Sequence, residues 1–180
     1  FMALNANAGR ISGITAQEIL KELKPLGSES TKRILCHNHG VQEPCFGVKI
    51  GDLKKIQKRI KKDYRLALDL YDTGNYDAMY LAGIVADGSR MSKKQLQGWA
   101  ENATFPAISA YTVPWLAAES PHARELALKW IDSKKEAIAC GGWNTYAGIV
   151  ATRPDDELDL EEIRKLLDRI VAGSATAPNK

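Results

Sequence analysis

The chain is poor in cysteine, has no long apolar run and contains no stretch in which polar and apolar residues alternate. Its three thiols, Cys36, Cys45 and Cys140, are an odd set without repeated spacing. That excludes a secreted disulfide framework and predicts reduced thiols in a cytoplasm. No apolar stretch approaches the ~20 residues of a membrane helix, and no signal-peptide core follows the N-terminus, so neither a membrane partner nor export is expected. Without alternation there is no half-buried strand, and therefore nothing for a nucleotide-binding motif to follow. Gly47, Gly51 and Gly74 are isolated turn glycines rather than a phosphate loop, so no small-molecule cofactor is expected. A large excess of one charge is also missing: the net is +3. The distribution is uneven, however. Residues 1 to 65 carry 13 basic and 6 acidic side chains, a balance of +7, and the remainder carries −4.

With 44% hydrophobic and 26% charged residues over 180 positions, the chain can bury a sizeable core, and disordered and collagen-like classes are excluded. Helical signals fill it. Thr15 and Glu18 have the spacing of a capping box ahead of the stripe Ile19, Leu20 and Leu23, and Pro25 and Gly27 are expected to end that helix. Further helices are predicted at about 30–39, 52–62, 64–73, 76–87, 92–103, 106–119, 122–132, 135–152 and 159–172. Ser92 with Gln95 is a second capping-box spacing, and Ser120-Pro121 predicts an N-cap followed by a first-turn proline. The fold class is all-α.

Residues 82 to 89, 114 to 121 and 147 to 154 realign at offsets of 32 and 33, each copy at a helix end. An antiparallel helix pair with two turns consumes about this length, which predicts stacked helical hairpins. The alternative, small residues recurring at helix contacts by chance, predicts no such stacking.

Residues 54 to 62 hold six cations in nine positions. At helical spacing Lys54, Lys58, Lys61 and Lys62 share one side, Lys55 and Arg59 another, while Leu53, Ile56 and Ile60 face inward. Lys49 and Arg65 extend the stripe. Such a row can displace counterions from a nucleic-acid backbone without reading sequence; the competing reading is a solvated helix face. Cys36, His37, His39 and Cys45 match no zinc spacing, so no metal site is assigned; a metal-dependent enzyme using Cys36, His37 and Cys45 is the corresponding minor alternative. Trp99, Trp115, Trp130 and Trp143 fall on the repeating helices, where most tryptophans fill a core. Trp99, with Glu101 and Asn102 nearby, and Trp143, with Asn144 and Tyr146 nearby, are the candidates for stacking on a nucleobase or sugar.

Residues 46 to 53, Phe-Gly-Val-Lys-Ile-Gly-Asp-Leu, and 68 to 87, from Leu68-Asp-Leu-Tyr71 through Gly74-Asn-Tyr to Ile84-Val-Ala-Asp87, resemble the DNA alkylation repair enzymes built from HEAT-like helical repeats. The similarity continues through Trp99, Ala110-Tyr-Thr-Val-Pro-Trp115 and Lys129-Trp130-Ile131, and covers residues 15 to 172. The resemblance implies a curved α-solenoid acting as a monomer, a basic face that holds duplex DNA, and an N-glycosylase releasing cationic N-alkylated purines. A carboxylate and an aromatic face near the sugar could stabilise the positive charge that develops there. In the family a Trp is followed four residues later by an Asp, with an Arg in the next repeat. Trp99 matches the Trp, Ala103 stands at the Asp position, and the Arg position falls at Thr145 or Tyr146. Glu101 is then the candidate catalytic carboxylate, with Trp99, Trp143 and Tyr146 as substrate-binding residues and Lys49, Lys54, Lys55, Lys58, Arg59, Lys61 and Lys62 as DNA-binding residues. Residues 1–14 are expected to be an extension and 173–180 a tail leading into another segment. The alternative from a different class is a non-catalytic repeat scaffold that binds another protein, or distorted DNA, without chemistry.

Overall fold

The computed structural model describes residues 13 to 174, so the expected N-terminal extension and C-terminal tail lie almost wholly outside the described residues. Those residues form ten α-helices: α1 (Ala16–Leu26), α2 (Glu29–His39), α3 (Ile50–Ile60), α4 (Tyr64–Tyr71), α5 (Tyr76–Val85), α6 (Lys93–Glu101), α7 (Val113–Glu119), α8 (Ala123–Ile131), α9 (Glu136–Thr152) and α10 (Leu160–Ser174). The only sheet-like pairing among them is one isolated bridge, Gly27 to Val48.

Capping chemistry sets several helix starts as the spacing predicts. Thr15 accepts from the Glu18 amide while Glu18 accepts from the Thr15 amide at 2.8 Å, and Ser92 with Gln95 repeats the reciprocal pair. Each satisfies amides that a helix start leaves without partners. Four boundaries differ from expectation. Pro25 sits inside the last turn of α1 rather than ending it, and the Gly27 amide closes the helix onto Leu23 and Lys24. Helix α3 spans 50 to 60, not 52 to 62, because Lys61 adopts a left-handed φ of 64° that a continuing helix cannot accommodate. Ser120 does not cap α8: its hydroxyl donates to the Ala117 carbonyl at 2.7 Å, tying off α7, and accepts from the His122 amide, so α8 begins at Ala123.

The fourth difference is inside the expected 106–119 helix. Residues Ile108–Thr112 form a π turn before α7. Pro114 has no amide to give the Ala110 carbonyl four residues earlier, and its ring would clash there in a regular α-helix. The wider turn relieves the clash, and Ala110 accepts instead from the Asn144 side chain at 2.6 Å.

Two compact units divide between Ile149 and Val150. In the first, helices α4, α6 and α8 are neighbours, joined by Tyr64 donating to Gln95, by Lys93 paired with Glu125, and by Gln97 accepting from Lys129 and from the Trp130 indole. Helices α3, α5 and α7 form the facing layer, continued by α9 through Asn144. Most of these links join residues 31 to 34 apart, the period that the sequence predicts for stacked hairpins. Close helix approach needs glycine at Gly142, where an added Cβ would lie 2.4 Å from the Ile131 amide nitrogen. The shared core runs through Leu23, Leu53, Leu66, Leu70, Leu81, Leu96, Ile108 and Leu116, all essentially inaccessible. The second unit contains a 3-10 turn, Asp155–Glu157, and the amphipathic α10.

Candidate nucleic-acid interface

The loop leading into α3 is held by a buried acid. Asp77, at the start of α5, accepts from the amides of Phe46 (2.6 Å), Gly47 (3.2 Å) and Val48 (2.9 Å). One carboxylate thereby satisfies three successive amides and fixes where the cationic helix starts. Leu53, Ile56 and Ile60 then bury one face of α3, as their spacing predicts, and turn its charged faces outward.

Those charged faces are not equivalent. On one side Lys55 pairs with Asp52 at 2.8 Å and Arg59 with Glu22 at 2.6 Å, and these contacts raise the pKa values of both cations. Acidic partners therefore neutralise a part of the stripe that the sequence alone leaves uncompensated. On the other side Lys54 and Lys58 carry no ion pair among the described residues. Lys61 and Lys62 lie beyond the helix end, so the single helical face expected for all four lysines does not form. Lys62 nonetheless reaches the same side, where its ammonium donates to the Ala86 carbonyl at 2.5 Å; Lys61 is exposed and outside it, and Lys49 is the exposed N-cap residue of α3.

Lys54, Lys58 and Lys62 line a groove of about 330 Å³. Its floor is Gly83 and Ile84 of α5, and its far wall is Trp115, Leu116 and Glu119 of α7. Trp115 is 52% exposed and Tyr111, one turn earlier, 54%; their rings lie 6.0 Å apart with planes tilted by 45°. Cations on one wall and an open aromatic face on the other are what a nucleic-acid strand requires: charge for phosphates and a π surface for bases.

The residues that the sequence nominates for the substrate lie elsewhere. Trp99 is 5% exposed and stacked on Tyr71 of α4, centroids 3.8 Å apart and planes 7° from parallel, while the Tyr71 hydroxyl donates to the Trp99 carbonyl at 2.7 Å. Both faces of that indole are committed to the core. Glu101 is exposed on the α4–α6–α8 layer, accepts from Gln97 at 2.8 Å, and borders a second depression with Lys129, Lys134 and Lys135. Neither Trp99 nor Glu101 lines the groove. On α9, Trp143 is half-buried, Tyr146 is buried, and Asn144 serves the π turn. The buried Cys45 thiol is pushed up to about 12 by desolvation and by the nearby Asp77 carboxylate, whereas Cys36 and Cys140 are exposed. Among the described residues no group of three His, Cys, Asp or Glu side chains is placed to hold a metal.

Trp115 and Glu119, which line the groove, and Tyr111, which flanks Trp115, are not among the site residues that the sequence nominates. One signal was available: Trp115 and Glu119 are four residues apart, the spacing of the family's Trp and acid, with Glu in place of Asp. The π turn leaves that spacing intact but changes the direction in which both side chains point relative to the residues before it, because its extra residue rotates everything after it relative to a continuous helix.

Paired helices repeating at 31 to 34 residues with a cationic groove along one layer define a HEAT-like repeat protein, and the comparisons agree. A solved structure described as a new family of proteins related to the HEAT-like repeat DNA glycosylases, with affinity for branched DNA structures, matches at TM-score 0.85 and 38% identity, covering 92% of this chain and 70% of that one. Residues 19–172 match the sequence profile of the DNA alkylation repair enzymes, and the chain belongs to that family. An uncharacterized protein of Listeria innocua is 29% identical and one of Listeria monocytogenes 28% identical, each over 160 residues that make up 86% of this chain and 70% of the relative. No described helix is long and apolar enough to cross a membrane.

Proposed function

We propose that this protein binds DNA through the groove between α3 and α7, with a preference for branched or otherwise distorted DNA over plain duplex. The observation that carries the proposal is the groove itself: Lys54 and Lys58 have no acidic partner among the described residues, and they share the groove with the exposed Trp115, which Tyr111 flanks. The family supports a DNA ligand, and the affinity of the structurally similar protein for branched DNA supports its form. A protein-binding scaffold would present an apolar groove without charge; here the apolar surface of Ile84, Trp115 and Leu116 is joined by Lys54, Lys58 and Lys62. Binding in a cytoplasm, by a monomer, would suffice for this role.

The test is fluorescence anisotropy with a labelled three-way junction and a duplex of matched sequence, repeated across salt concentrations. Tighter binding to the junction is expected, with log K falling against log salt at a slope of about −2 to −3 for two or three neutralised phosphates. Absence of salt-dependent binding to either DNA overturns the proposal.

Base excision is a second reading, favoured by one observation: Trp115 and Glu119 put an aromatic face and a carboxylate in one groove, and Glu119 has no ion pair among the described residues. A purine already cationic from N-alkylation is a good leaving group, so stabilising charge on the sugar and activating water is the chemistry required. Under this reading DNA bearing a methylated cationic purine yields abasic sites. Glu119→Gln slows their formation by at least tenfold, and Glu101→Gln, on the other layer, leaves it unchanged. If the unaltered protein gives no abasic sites above the spontaneous rate, excision is withdrawn and the binding role remains.

A further inference from the structure

Lysines that bind phosphates attract every form of DNA, so they do not by themselves account for a preference for branches. A branch differs from a duplex in having bases with an uncovered face. Recognising one requires an open π surface beside the backbone-binding charges.

Two of the aromatic pairs among the described residues differ in this respect. Tyr71 and Trp99 are nearly parallel at 3.8 Å, so each ring already covers the other. Tyr111 and Trp115 are tilted by 45° at 6.0 Å, and both are more than half exposed. Their exposure is built in. The π turn and Pro114 set the direction of this segment, Asn144 takes up the carbonyl that Pro114 leaves without a donor, and buried Thr112, Val113 and Pro114 anchor the turn between the two rings. Large exposed aromatic surface is costly to leave in water and is a mark of a binding site when it adjoins complementary charge. Here that charge is Lys54 and Lys58 across the groove.

We infer that Trp115, flanked by Tyr111, is a stacking platform for an unpaired nucleobase at a DNA branch, and that it determines the preference for branched over duplex DNA. The inference rests on the proposed DNA-binding role. A strand whose phosphates contact Lys54 and Lys58 would present its unpaired base to the indole without any base-specific hydrogen bond, giving selectivity for structure and not for sequence.

The experiment uses the unaltered chain, Trp115→Ala, Trp115→Phe and the double variant Lys54→Ala/Lys58→Ala, with three labelled ligands: a duplex, a fully paired three-way junction, and the same junction with two unpaired bases at its centre. Trp115→Ala should lower the preference for the unpaired junction over duplex by about tenfold, the scale of losing one stacked base, with duplex affinity and salt slope unchanged. Trp115→Phe should keep most of the preference. The lysine variant should weaken all three ligands by a similar factor and flatten the salt slope. A short single strand should quench the indole fluorescence of the unaltered protein, and Trp115→Phe should remove that quenching. An unchanged preference in Trp115→Ala, equal weakening of all three ligands by it, or quenching that persists in Trp115→Phe overturns the platform while leaving DNA binding intact. Failure of the unaltered chain to bind any ligand overturns DNA binding and the platform together.

Discussion

The two helical layers of the first unit use the same residue types for opposite ends. Along α4, α6 and α8, Lys93 is paired with Glu125 and Lys129 donates to Gln97, while Lys94 carries no ion pair among the described residues, and the indoles of Trp99 and Trp130 are buried. Along α3, α5 and α7, Lys54 and Lys58 have no such partners and Trp115 is open to water. Composition and charge counts do not separate the layers; what separates them is an unpaired lysine pair beside an exposed indole. A lysine beside a carboxylate has largely satisfied its field locally, and at an exposed site that pair adds little to stability. A lysine without one retains its field for a ligand. Even within α3 the distinction holds, with Lys55 and Arg59 paired and Lys54 and Lys58 not.

The strongest challenge to this contrast is truncation of one tryptophan from each layer. Trp99→Ala removes a buried, stacked indole and should cost about 3–5 kcal/mol of unfolding free energy in urea titrations, while protein that remains folded keeps its salt slope for DNA. Trp115→Ala should barely move the urea midpoint. If the two variants are equally destabilised, the layers do not differ in the way described. Asp77→Ala comes next. It strands the amides of Phe46, Gly47 and Val48, and at about 1–3 kcal/mol for each buried group left unsatisfied the loss should be about 3 kcal/mol or more, measured in the same titration. A loss below 1 kcal/mol would mean that water reaches those amides and that the seat of α3 is not fixed as inferred.

Substitutions within α3 give a smaller effect and test the contrast at its finest grain. Lys54→Gln/Lys58→Gln should reduce affinity for DNA by about tenfold at low salt and lower the magnitude of the salt slope by about 2. Lys55→Gln/Arg59→Gln, on the side already paired with Asp52 and Glu22, should change the slope by less than half as much. Equal effects in an anisotropy titration would show that the pairs open on binding and that all the cations of the stripe act alike.

How much of this was legible in the sequence follows from the range over which each determinant acts. Capping boxes are local, three residues from donor to acceptor, and Thr15 and Ser92 are where the spacing puts them. The repeat period is legible because each hairpin solves the same packing problem as the last. Core faces of α1 and α3 follow from periodicity alone. The site is harder. Glu22 neutralises Arg59 from 37 positions away, and no local pattern announces it. The π turn is set by a clash between Pro114 and a carbonyl one turn earlier, and it misaligns any helical wheel drawn across residues 106 to 119. Trp99 and Trp115 are therefore indistinguishable as letters, each with a carboxylate near it in the chain, and the family resemblance points to Trp99. In three dimensions Tyr71 covers Trp99, while Trp115 shares a groove with Lys58.

The smallest predicted effect concerns the buried loop that leads into α3 and the start of α5 beside it. Burial and the Asp77 carboxylate push the Cys45 thiol from 9.0 to about 12, and desolvation followed by Asp77 pushes the Tyr76 hydroxyl from 10.0 to about 12. Both acids have a higher pKa in the folded chain than in the unfolded one, so the folded state holds its protons where the unfolded state has lost them. Stability from this source is whole below about pH 9 and declines as pH rises from 9 towards 12. Urea midpoints measured at pH 8 and pH 10.5 should therefore fall, and Cys45→Ala should reduce the fall whatever its effect on the midpoint at pH 8. A parallel reading comes from alkylation at pH 8 under native conditions: Cys36 and Cys140, which are exposed, should react while Cys45 stays protected, giving two modified thiols by mass spectrometry. Rapid modification of Cys45 would mean that the loop over residues 45 to 48 opens readily, and the groove helix it anchors would then be as loosely held as the other layer is firmly packed.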